Sequence, residues 1–165
     1  MAQVKLGNDT VNTNGNLPSV GSKAPEFVLT GNDLKDVHSK SYAGQNIVLN
    51  IFPSIDTKVC ASSVREFNTR ATALANTVVL CVSKDLPWAM RRFCGAEGID
   101  KVTTLSDFRN YGFSKSYGVE MTDGGMAGVF ARAIVVIAPD GKVKYTELVP
   151  IIGQGPDYDA ALKAL

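Results

Sequence analysis

Between Ile47 and Phe52 the chain reads Ile-Val-Leu-Asn-Ile-Phe, apolar at every position but one. A run this short and this continuous predicts a strand covered on both faces. Downstream the period changes: Val64, Phe67, Ala71 and Leu74 form one stripe of a helix predicted over Lys58 to Asn76. Thr77 to Val82 is a second buried strand, and Leu86 to Gly95 a shorter helix with Leu86, Met90 and Phe93 inward. A third strand is expected at Val102 to Leu105, with partly helical chain from Phe108 to Tyr117. The segment Ala133 to Ala138, the turn Pro139-Asp140-Gly141-Lys142 and the segment Val143 to Val149 read as a β-hairpin. Gly153 to Pro156 breaks the pattern, and Tyr158, Ala161, Leu162 and Leu165 stripe a last helix. Upstream, Gly7-Asn8-Asp9 turns a small hairpin between Val4 and Val11, Asn14 to Pro18 interrupts regular structure, and Glu26 to Thr30 is a short strand. Strand–helix alternation closed by a hairpin and a helix predicts an α/β sandwich around a mixed central sheet. One domain is expected over residues 1–165, with residues 1–17 as an N-terminal β-hairpin extension.

A chain of 165 residues, 45% hydrophobic, can bury one good core. Its net charge of +1, with acids and bases interspersed, argues against nucleic acid or a membrane surface as partner. No apolar stretch reaches membrane-spanning length, and Met1 to Asp9 lacks the apolar centre of a secretion signal, so a cytoplasmic protein is expected. Three cysteines in such a chain do not make a disulfide scaffold. The single histidine, His38, reads as a surface loop residue, and no two cysteines stand at ligand spacing. Neither a metal site nor any other cofactor is therefore expected, and a Cys–His catalytic pair is disfavoured.

Cys60 changes the picture. It ends Pro53-Ser54-Ile55-Asp56-Thr57-Lys58-Val59-Cys60, just past a buried strand and at the start of a helix. Oriented backbone N–H groups there favour the thiolate, the reactive form of cysteine. Thr57, Cys60 and Val64 share the helix face turned to the core, so the sulfur should be sheltered at the base of a pocket with the Thr57 hydroxyl beside it. Pro53 ends the strand, brings no N–H and can shield the sulfur from water. Ser54, Asp56 and Thr57 are all competent helix caps, a role that would equally account for each of them. Burial alone would disfavour a thiolate, so a cation is needed. Arg132, at the entrance to an otherwise apolar strand, is the candidate; Arg65, one turn beyond Cys60, is its rival, and a solvated strand-end arginine is the alternative. Cys81 sits mid-strand among apolar residues, as a small hydrophobe would. Cys94 lies at the margin of its helical stripe beside Gly95, either half-buried core or a thiol that local unfolding can release.

Pro53-x-x-x-Thr57-x-x-Cys60 matches the active-site signature of peroxiredoxins. The longer stretches Asn50 to Arg65 and Leu86 to Gly98 closely resemble the thiol peroxidase subgroup, of the atypical two-cysteine type, and the likeness runs almost end to end. The resemblance implies a thioredoxin-like fold and a peroxidase acting on hydrogen peroxide and organic hydroperoxides. It implies a peroxidatic role for Cys60 and a resolving role for Cys94, joined as a disulfide within one subunit. Thr57 and Arg132 match the family's activating positions and Pro53 its shield; thioredoxin is the implied reductant and a homodimer the implied assembly. Folded helices would keep the two sulfurs apart, so the bond requires local unwinding. Phe52, Met121, Met126 and Phe130 are candidates to line the pocket, although core packing explains them equally. The competing reading is a redox sensor that passes the oxidation of Cys60 to a partner without rapid turnover.

Overall fold

In the computed structural model, which describes residues 1–165, the apolar run is strand β5 (Asn46–Ile51). Ile47, Leu49 and Ile51 point to one side of it, while Val48, Asn50 and, just past its end, Phe52 point to the other. β5 pairs in parallel with β6 (Thr77–Ser83), which pairs in parallel with β7 (Thr103–Ser106). On its other edge β5 meets β8 (Ala133–Ile137) in antiparallel register, with Ile51 opposite Ala133. β8 turns back as β9 (Val143–Leu148). The far edge is finished by β3 (Val28–Thr30) and β4 (Asp36–His38), giving the order β4-β3-β7-β6-β5-β8-β9. β1 (Gln3–Leu6) and β2 (Asp9–Asn12) form a separate two-stranded hairpin.

Helices cover both faces of the mixed sheet. α1 (Lys58–Ala71), α2 (Pro87–Glu97) and α4 (Tyr158–Lys163) share one apolar cluster with Val48, Phe52, Ile134 and Val136. The short α3 (Phe113–Tyr117) packs on the opposite face with Leu49, Ile51, Ala133 and Val135. Alternate residues of β5, β6 and β8 thus feed two cores, which explains why these strands read as unbroken apolar runs. A third, smaller cluster seats the hairpin through Val4 and Val11 against Met121 and Ile152.

Several boundaries differ from the pattern-based reading. α1 ends at Ala71, not Asn76: the hydroxyls of Thr69 and Thr72 turn onto the carbonyls of Arg65 and Thr69, and Asn76 adopts a left-handed conformation to enter β6. Leu74 nevertheless packs where the stripe required. Leu86 is not inward; Pro87 occupies the first helical position, leaving Leu86 before the helix and 50% exposed. Helix in the segment 108–117 is confined to α3. His38 is exposed but lies in the edge strand β4, Asp36-Val37-His38, whose one apolar residue is too short a pattern to announce a strand.

Asp107, just beyond β7, is 2% exposed. Burial pushes its carboxyl up to about 6, with Lys84 pulling down and Glu120 pushing up. Below about pH 4 the group is neutral in both folded and unfolded chains. As pH rises toward 6 the unfolded chain ionises first, so stability falls across that window and levels off above it. Asp107→Asn should remove this slope and raise stability at pH 7 by roughly 1–2 kcal/mol, after discount for water near the strand end. Urea unfolding at pH 4, 5, 6 and 7 checks it; an unchanged slope in the variant would assign the pH dependence to other groups.

Candidate active site

Cys60 occupies the first turn of α1 and is fully buried. Thr57 is the residue before the helix, with extended backbone angles, but its side chain caps nothing. Its hydroxyl instead donates to the Ser54 carbonyl at 3.0 Å. The first-turn N–H groups, that of Cys60 among them, thus lack a side-chain acceptor and remain available to an incoming oxygen. Pro53 is buried at the end of β5. The rotation of α1 is fixed from below: Asn50 donates to Ser63 Oγ at 3.2 Å, and the Ser63 hydroxyl donates to the Cys60 carbonyl at 2.8 Å.

Arg132 immediately precedes β8 and is 2% exposed. Ile134 and Val136 face the α1 side, so the two-residue period of a strand puts Arg132 on that side as well. Its Nε and Nη2 donate to the Ile152 carbonyl at 3.2 and 3.1 Å, whereas the buried Nη1 has no partner. Ile152 is itself held by the hairpin: the Lys5 N–H donates to Pro150 O at 2.7 Å and the Ile152 N–H to Lys5 O at 3.0 Å. Tyr158 of α4 packs in the same cluster as Cys60, against the Phe67 ring and the Arg70 guanidinium. Burial raises its hydroxyl; Glu66 pushes the same way, Arg132 and Arg70 pull it down, and Cys60 pushes it up. Cys60 and Tyr158 thus pack on the face of the sheet to which the strand period also assigns Arg132.

Arg65 is engaged elsewhere, its guanidinium bonding both carboxylate oxygens of Glu97 on α2 at 3.0 and 2.9 Å. All three cysteines are free thiols. Cys94, half-buried on α2, lies 3.8 Å from the Thr104 hydroxyl; burial raises its pKa while Thr104 draws it down. It packs against the same cluster as Cys60, so both thiols lie on one face of the sheet. Cys81, fully buried in β6, is pushed up to about 12 by burial, despite a 3.6 Å contact from Asn50. The four pocket candidates scatter: Phe52 shares the Cys60 cluster, Phe130 belongs to the opposite core, and Met121 and Met126 pack under the hairpin. Two surface cavities open elsewhere, around Phe27 and Lys40. The sulfur is enclosed in packed core rather than standing open at the foot of a pocket.

The sequence reading missed Asp85, between β6 and α2. Its carboxylate accepts from Ser54 Oγ at 2.7 Å, the Ile55 N–H at 2.6 Å and Ser83 Oγ at 2.6 Å, tying down the loop that leads to Cys60. An aspartate two residues before Pro87 reads as a simple helix cap, and no sequence pattern connects it to a loop thirty residues earlier.

The family profile described as Redoxin matches residues 19–162. A thiol peroxidase of Mycobacterium tuberculosis is 58% identical over 165 residues, covering 100% of this chain and 99% of that protein. A thiol peroxidase of Corynebacterium glutamicum is 52% identical over 159 residues, covering 96% and 95% respectively. Among solved structures, a peroxiredoxin-like protein from Aquifex aeolicus superposes with a TM-score of 0.92 at 37% identity, covering 98% of this chain and 95% of that one.

The three thiols differ enough in surroundings to be told apart chemically. In the folded, reduced protein, iodoacetamide at pH 7 should modify Cys94 and leave Cys81 unmodified until global unfolding, a contrast of about a thousandfold or more given how little thiolate a buried thiol holds. Peptide mapping after timed labelling measures this. Comparable labelling of Cys81 and Cys94 would contradict the buried placement of Cys81.

Proposed function

The chain belongs to the Redoxin family and, within it, to the thiol peroxidases, with the family's thioredoxin-like fold; on that premise we propose that Cys60 is the peroxidatic thiol and Cys94 the resolving one. What supports this reading is a buried thiol in a helix's first turn and, in a strand position assigned to the same face of the sheet, a buried arginine whose Nη1 is unpaired. A buried guanidinium with a free donor is costly unless something negative arrives to meet it. A thiolate, and the charge that builds on a breaking O–O bond, would do so.

The Cys60 thiolate attacks one oxygen of a hydroperoxide. An S–O bond forms, the O–O bond breaks, and the departing oxygen takes a proton and leaves as water or an alcohol. Sulfur loses two electrons and the peroxide gains them, leaving a sulfenic acid. Arg132 Nη1 and the Cys60 N–H would bear the charge during this step, joined by the Thr57 hydroxyl once it turns from the Ser54 carbonyl. Pro53 excludes water from the sulfur. The Cys94 thiolate then attacks the Cys60 sulfur, hydroxide leaves as water, and a disulfide closes within the subunit. A dithiol partner, thioredoxin in this reading, exchanges with that disulfide, restoring both thiols and carrying away its own. Hydroperoxides are the substrates, a cytoplasmic homodimer the working form, and antioxidant defence the role.

Mass spectrometry after one equivalent of hydrogen peroxide tests the assignment. Wild type should yield a peptide pair joined through Cys60 and Cys94, and Cys94→Ser a trappable sulfenate at Cys60; oxidation confined to Cys94 or Cys81 would refute it. Removing one donor from a developing anion typically costs about 2.7–4 kcal/mol, so Arg132→Ala should slow peroxide reduction by roughly 100-fold or more. A loss below tenfold in stopped-flow measurements would take Arg132 out of the reaction.

A further inference from the structure

Asp85 stands where two movements required by the proposed cycle meet. On one side, its carboxylate receives three hydrogen bonds on two oxygens, from Ser54 Oγ, the Ile55 N–H and Ser83 Oγ, all at 2.6–2.7 Å. Charge-assisted bonds of this length are about twice as strong as neutral ones. Ser54 passes the restraint on: its carbonyl accepts both the Thr57 N–H at 3.1 Å and the Thr57 hydroxyl at 3.0 Å, and the Thr57 carbonyl accepts the Ala61 N–H at 2.9 Å, the bond that opens α1. Ile55 is buried in the same cluster as Cys60. On the other side, the Asp85 backbone leads into α2 within two residues, and its carbonyl is anchored to β7 by the Ser106 hydroxyl. Between the α1 region and α2 there are also apolar contacts in the cluster that Phe93 and Cys94 share with Val64, the Arg65 guanidinium over the Phe93 ring, and two surface ion pairs, Asp56–Arg92 at 3.2 Å and Arg65–Glu97 at 2.9 Å, which contribute little in water.

We propose that Asp85 is a positioning residue that latches the Cys60 loop to the start of the Cys94 helix, and that releasing this latch governs the conversion of sulfenic acid to disulfide. The proposal rests on the roles assigned above to Cys60 and Cys94. With the latch closed, Thr57 and the first turn of α1 are held for the attack on peroxide, but the Cys60 sulfur is fully buried and in no disulfide. To meet Cys94, in the second half of α2, part of the chain must move, and motion of the Cys60 loop or of the start of α2 breaks the bonds at Asp85. Asp85→Asn replaces one acceptor oxygen with an NH2 group facing a donor, so the latch should weaken without loss of volume. Ser54→Ala removes one of the three bonds and leaves the carboxylate in place.

The two chemical steps should then move in opposite directions. Reduced full-length protein is mixed with hydrogen peroxide, quenched at timed intervals with a thiol alkylator, and resolved by mass spectrometry into thiol, sulfenate and disulfide. For Asp85→Asn, sulfenate formation should fall about tenfold and disulfide formation from sulfenate should rise about tenfold, the scale set by one hydrogen bond to a charged group. Ser54→Ala should shift both in the same senses by less. Val143→Ala, a core truncation in β9 away from the site, should leave both within twofold. Fluorescence of Trp88, the one tryptophan and half-exposed in the first turn of α2, should report the opening in step with the disulfide. Both steps unchanged within twofold in Asp85→Asn and Ser54→Ala, both slowed together, or the same split in Val143→Ala would each overturn the latch. Absence of any Cys60 sulfenate in the wild type would instead remove the peroxidase reading. Amide exchange over residues 54–61 in the reduced protein then still judges the latch: protection in Asp85→Asn equal to wild type refutes it.

Discussion

A single buried hydrogen bond, from Asn50, the last residue but one of β5, to Ser63 on α1, determines which way the helix faces. Apolar packing alone is tolerant of rotation, because Val64 and Phe67 could meet Val48 at a range of angles. A directional bond between two fully buried groups is not tolerant, since losing it leaves the Asn50 amide in the core with only its 3.6 Å contact to Cys81. With Ser63 turned onto the sheet, Cys60 three residues earlier must turn the same way, and the Ser63 hydroxyl takes hold of the Cys60 carbonyl. The polar interruption in an otherwise apolar strand is thus what aims the sulfur inward.

The end of the sheet that leads to Cys60 is costly by the standards of the rest of the fold. It holds a buried arginine with one unpaired nitrogen, a buried carboxyl at Asp107 and an Asn50 oxygen with no partner. The opposite ends of β5, β6 and β7 begin at Asn46, Thr77 and Thr103, none of which buries an unpaired atom. A packed core of three clusters supplies the surplus that such groups need. Concentrating them where β5, β6 and β7 end agrees with the position of the thiol at the first turn of the next helix.

The central fold could be read from the chain because its signals are local. Unbroken apolar runs gave β5, β6 and β8, the Pro139–Lys142 turn gave the hairpin, and helical spacing gave α1 with its inward residues. Cys60 and its inward orientation follow from spacing alone. Elements lacking a local signal were lost: β4 is three residues long with Val37 its one apolar member, and its pairing with β3 is what makes it a strand. Leu86 misled because a leucine at helical spacing looks inward, while the proline after it moved the helix start. Asp85 and Ser63 were invisible as contributors, since each acts through a partner brought near only by the fold. For Phe130 and Met121 the bland reading held, and they fill two different cores.

The β1–β2 hairpin, which pairs with no strand of the main sheet, has a bearing on chemistry despite its distance from the thiol in sequence. Lys5 bonds across to Pro150 and Ile152, and the carbonyl of Ile152 seats the guanidinium of Arg132. Strain introduced at that decorative-looking ribbon, by a fused affinity tag or a disruptive insertion, would pass through Lys5 and Ile152 to the seat of the Arg132 guanidinium. On the proposed role of that cation, engineers shortening or decorating this end would be editing turnover while believing they had touched only a handle.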